Sequence, residues 1–167
     1  THIVAPNEDL IQILIQDDFT TEQILHARRV LESYLVDIPG SDWGSSKSLI
    51  ANAMATTNAI LFLLNDESEY ENQNLWTLID SGVQGQDLLA TEVHPEGSPA
   101  YMNSSERDAT YEEILHFVHG FGIQLAAPGM QNAIEDAMAD AIANEIYNPL
   151  SDLPPEDYDE EYLAMGL

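Results

Sequence analysis

The chain has 167 residues, with four Lys plus Arg against thirty Asp plus Glu and a formal net charge of −26. Its basic side chains, Arg28, Arg29, Lys47 and Arg107, are scattered, which argues against nucleic acid and anionic membrane surfaces as partners, because both require clustered cations. With 44% hydrophobic residues the chain has material for one folded domain with a real core, so the acidity belongs on its surface.

Leu10 to Ile15 reads Leu-Ile-Gln-Ile-Leu-Ile, short and β-branched between Asp and Asn clusters, which predicts a buried strand. A helix over 21–36 follows. Thr20 and Gln23 form a capping-box pattern, Ile24, Ala27, Leu31, Tyr34 and Leu35 recur at helical spacing, and Pro39-Gly40 stops the run. The alanines of Leu49 to Thr57 predict a second helix over 48–58, and Ala59 to Leu64 either extends it or forms a second buried strand, the reading preferred here. Asn65 to Asn74 reads as a loop, Leu75 to Ile79 as a short packed element and Leu88 to Val93 as a third strand. Helices are expected over 111–120 and 130–147. In the second of these Ile134, Met138, Ala141, Ile142 and Ile146 form the packed face and Glu135, Asp136, Asp140 and Glu145 the solvated one. Asn148 to Asp157 carries three prolines and reads as a linker to a C-terminal helix. The fold class expected is α+β, a predominantly helical single domain with a small sheet.

Cysteine is absent, which removes disulfides, thiolate metal sites and thiol nucleophiles. The start at Thr1 favours a trimmed, exported chain, and a stop at Leu167 soon after the last candidate ligand fits a processed fragment. Charge density this high with so little Lys suits a salty exterior, so an extracellular location and a marine or halophilic source are expected.

The chemistry concentrates in Asp108-Ala-Thr-Tyr-Glu-Glu-Ile-Leu-His-Phe-Val-His-Gly-Phe-Gly122. Thr110 and Glu113 match a capping box, and the Gly120 and Gly122 pair marks the helix end. At about 100° per residue, Glu112, His116 and His119 form one polar stripe, while Ile114, Leu115 and Val118 supply packing. A carboxylate and two imidazoles on one helical face suit a divalent cation; the same spacing also suits hydrogen bonds and ion pairs on a solvated face. The remaining groups carry less. Asp157-Tyr-Asp-Glu-Glu161 lacks the calcium-loop spacing and reads as solvated charge, and Asn103-Ser-Ser105 fits a glycosylation acceptor. His2, His26 and His94 have no partner at ligand spacing, and Trp43 and Trp76 read as core or edge packing.

Glu112-Glu113-Ile-Leu-His116 resembles the His-Glu-x-x-His helix of zinc metallopeptidases, with Glu in the first ligand position. Glu161-Tyr-Leu-Ala164 is similar to the Glu-Phe-Phe-Ala helix that supplies the third ligand in the lethal-factor-like branch of the zincins. The resemblance implies a zincin-like fold, zinc or another divalent cation as cofactor, Glu112, His116 and Glu161 as ligands, and Glu113 as general base toward a water held by the metal. His119, three residues beyond His116, is a further ligand candidate that would restore a second nitrogen donor. A carboxylate replacing the first imidazole adds negative charge and lowers the Lewis acidity of the ion. Two functions are therefore expected: a secreted metallopeptidase-like protein acting on peptides or proteins, or a non-catalytic structural or assembly protein on the same fold, capable of self-association.

Overall fold

The computed structural model describes residues 1–103, 107–151 and 153–166. The protein is a single, mostly helical α+β domain built on a four-stranded sheet in the order β1-β2-β3-β4, comprising His2–Val4, Leu10–Ile15, Ile60–Leu64 and Gly85–Leu89. β1 runs antiparallel to β2, whereas β2, β3 and β4 are parallel. Strand β3, Ile-Leu-Phe-Leu-Leu, is buried along its whole length, as expected of a central parallel strand covered on both faces.

One face of the sheet carries the main core. Ile11, Ile13, Leu61, Leu63 and Leu88 meet Ala27, Val30 and Leu31 of α1 (Thr21–Leu35), and Ile50, Ala51 and Met54 of α2 (Ser48–Thr56). The other face holds a smaller cluster in which Ile60, Phe62, Leu64 and Leu89 pack against Leu75 and Val83, the former on α3 (Gln73–Asp80). The cap of α1 is the one its sequence calls for: Gln23 N donates to Thr20 Oγ1 at 3.2 Å and Thr20 N to Gln23 Oε1 at 3.0 Å. After α4 (Pro99–Asn103), α5 (Thr110–Val118) crosses the main core, runs into a π turn over His119–Ile123 and continues as α6 (Gln124–Ala126). Helix α7 (Pro128–Ala143) and the short α8 (Tyr158–Ala164) complete the domain. No described helix is long and apolar enough to cross a membrane.

Several expectations need correction. The third strand lies over Gly85–Leu89, earlier than the 88–93 expected, and Ala90–Glu92 forms a tight turn in which the Glu92 carboxylate accepts from Leu89 N at 2.9 Å. Its polar first half is held by backbone pairing with β3. Gly85 is required there, because a β-carbon would overlap the Ile60 carbonyl oxygen. The glycine pair at 120 and 122 does not end the α5 helix. A β-carbon at Gly122 would stand 2.6 Å from Ile50 Cγ2, so this residue allows the π turn to press against α2. The last long helix stops at Ala143, not Tyr147; Glu145 then takes a positive φ of 57°, Tyr147 turns inward and Ile146 outward, leaving Ile146 77% exposed and Ile142 also exposed. Ser104 and Ser105 of the glycosylation pattern lie outside the described residues.

Candidate metal centre

Helix α5 starts from a buried acidic knot rather than from the expected Thr110–Glu113 box. Asp108 Oδ1 accepts from Thr110 N at 3.2 Å, from Thr110 Oγ1 at 2.6 Å and from His94 N at 3.1 Å. Its Oδ2 pairs with His26 Nε2 of α1 at 2.7 Å. Thr110, fully buried, is the first residue of the helix, and Glu113 reaches sideways to accept from Gln86 Nε2 at 2.8 Å. Asp108 therefore fixes where α5 begins and how it sits against α1.

From this start the helix turns Ile114, Phe117 and Val118 into the core and Glu112 and His116 toward α8. Among the described residues, Glu112, His116 and Glu161 each offer an oxygen or nitrogen donor with all such atoms within 4.8 Å of one another. His116 Nε2 faces Glu161 Oε1 across 4.0 Å, is buried and has no hydrogen-bond partner. On the other side of the ring, His116 Nδ1 lies 3.7 Å from Glu113 Oε2. This separation is too long for a hydrogen bond but short enough for attraction between charges. Burial works against a charged His116, yet Glu113, Glu160 and Glu161 together outweigh it and hold the imidazole above its ordinary value. Glu112 is also paired with the exposed Arg107.

His119 is not part of this group. It opens the π turn, and its Nε2 meets Gln131 Oε1 of α7 at 2.8 Å, with Asp159 Oδ2 at 3.7 Å and Glu160 Oε2 3.8 Å from its Nδ1. The Asp157–Glu161 run, expected to be solvated, in fact sends Asp159 inward to 8% exposure, where it accepts from Gln131 Nε2. Three consecutive carboxylates of α8 thus each face a histidine of the α5 segment: Asp159 and Glu160 face His119, and Glu161 faces His116. Tyr147 packs on Tyr162 of α8, their ring centroids 5.3 Å apart. Sequence spacing missed the Asp108–His26 pair because its members are separated by 82 residues, and it missed Gln131 because amides leave no charge pattern. Trp76 is partly exposed at an edge, its Nε1 donating to Tyr70 O at 2.6 Å, and Trp43 is half exposed. A cavity of about 340 Å³ lined by Arg107, Asp108, Tyr111, Glu112 and Ala164 opens beside the triad. Comparison with protein-family models, with curated proteins and with solved structures found no match.

Proposed function

We propose that the protein is a zincin-like metalloprotein that holds a divalent cation between Glu112, His116 and Glu161, chiefly to tie α8 to α5. The observation that carries this reading is the buried, unpartnered Nε2 of His116, facing Glu161 with Glu112 within the same 4.8 Å group. A buried ring nitrogen without a partner is costly, and of the two carboxylates beside it Glu112 is already paired with Arg107 while Glu161 adds charge that a bound cation or a proton on the ring offsets. The donor set, two oxygens and one nitrogen, fits zinc and also harder divalent ions. Such an ion would supply a cross-link with reduced Lewis acidity, because two carboxylate ligands would cancel much of its charge. Glu113, anchored by Gln86 and set on the Nδ1 side of His116, orients the imidazole and favours the tautomer whose Nε2 lone pair is free. Secretion into a salty medium, where screening relieves the self-repulsion of a −26 chain, belongs to the same proposal, as does self-association.

Peptide hydrolysis with Glu113 as general base is the second reading. The cavity beside Glu112 favours it, since a substrate there would meet one of the three donors. The test is equilibrium dialysis against zinc and manganese followed by elemental analysis, together with cleavage of a peptide library by the loaded protein. Retained metal without cleavage is the expected result, with metal content falling in Glu161→Gln. Cleavage that disappears in Glu113→Gln while metal is retained would establish the hydrolase instead.

A further inference from the structure

The histidine outside the triad has an unsatisfied atom of its own. His119 is fully buried, and its Nε2 lies 2.8 Å from Gln131 Oε1. The Gln131 amide has only one sensible orientation, because its Nε2 donates to two carboxylates, Glu135 Oε1 at 2.8 Å and Asp159 Oδ2. Its oxygen therefore faces His119, and the His119 proton sits on Nε2. In the neutral ring Nδ1 is then a bare lone pair. That atom is buried, has no hydrogen-bond partner and faces Glu160 Oε2 across 3.8 Å. Among the described residues, no Lys or Arg pairs with Asp159 or Glu160.

Two electron-pair donors facing each other, the His119 nitrogen fully buried and the Glu160 carboxylate partly open to solvent, are stabilised by a positive charge between them. The separation is compatible with a divalent ion. A hydrogen bond would draw the atoms to about 3 Å, whereas two donors on one zinc-sized ion stand about 3.4 Å apart at a tetrahedral angle and about 4.2 Å apart when collinear. The observed 3.8 Å leaves room for such an ion.

We infer that His119 Nδ1 and Glu160 form a second divalent-cation position, distinct from the Glu112–His116–Glu161 set. Neighbouring residues of a helix point about 100° apart, so Glu160 and Glu161 serve different positions from one turn of α8. Gln131 and Asp159 hold the His119 ring from behind, and water completes the coordination. The inference uses different atoms from the first site and does not rest on the zincin-like reading.

Zinc is the probe, added to the full chain and followed by native mass spectrometry and by nitrogen-15 spectra of the histidine rings. Two zinc ions per wild-type chain are expected, falling to one in Glu160→Gln and to one in Glu161→Gln. The His119 Nδ1 resonance should move on zinc binding in the wild type and in Glu161→Gln, and stay put in Glu160→Gln. A His119 whose Nδ1 is protonated both before and after zinc saturation would overturn the inference, because a proton would then fill the gap. A single zinc per wild-type chain that is kept in Glu161→Gln and lost in Glu160→Gln would sink the first site and leave this one standing, and an unmoved Nδ1 resonance in zinc-saturated wild type would do the reverse.

Discussion

The two sides of α5 are closed by different physics. On one, Ile114, Phe117 and Val118 enter the sheet core and are satisfied by contact with other apolar groups. On the other, His116, with His119 just beyond it in the π turn, faces carboxylates of α8 and leaves two ring nitrogens buried without partners. The first side should be indifferent to solution conditions. The second leaves buried ring nitrogens facing carboxylates, so on the proposed reading its strength should depend on protons and cations.

The largest expected effect lies on the apolar side. Phe117→Ala should cost about 3–5 kcal/mol, the range for emptying a fully buried aromatic site, with the same loss in zinc and in chelator when measured by urea unfolding. Asp108→Ala should follow at about 3 kcal/mol, because it removes the partner of His26 and the acceptor at the start of α5. A loss confined to zinc-containing buffer would break the division between the two sides. Gly122→Ala should cost about 1–3 kcal/mol through overlap with Ile50, whereas Gly120→Ala, with open space around its β-carbon, should be neutral or stabilising. Equal penalties would mean that the π turn does not press on α2.

The smallest effect is the most diagnostic of the polar side. In cation-free protein His116 is held above its ordinary value, so the folded state binds that proton more tightly than the unfolded state does. The stability it contributes is complete below about pH 6.5 and is lost as pH rises through the folded value. Zinc requires the deprotonated ring, so in saturating zinc the trend should reverse and stability should rise over the same window. Urea midpoints between about pH 5.5 and 8, with chelator and with zinc, would show opposite slopes in the wild type, and His116→Asn should lose most of the difference.

Much of the apolar side was legible in the sequence, because it obeys local rules. Leu10–Ile15 is a run with no competing helical period, and Thr20–Gln23 caps α1 through atoms three residues apart. The strand over Ile60–Leu64 was the preferred of two readings, and the parallel sheet accounts for its uninterrupted apolar character. The misses arise where distant chain segments decide. Gly85 and Gly122 look like turn glycines, yet their reasons are an Ile60 carbonyl and an Ile50 methyl. Helical periodicity put Glu112, His116 and His119 on one stripe, and it could not foresee that the π turn sends His119 to Gln131. The grouping of Glu112, His116 and Glu161 followed from the motif resemblance; the buried Asp159 and the Asp108 knot needed the structure.

The claim that α8 is held to α5 by a cation is tested most directly by a crystal structure of the zinc-soaked protein with anomalous data at the zinc edge. An anomalous peak within about 2.0–2.2 Å of His116 Nε2 and of carboxylate oxygens from Glu112 and Glu161 is the predicted result. A map without a peak there, with α8 in place and His116 bridging Glu113 and Glu161 as an imidazolium, would contradict it.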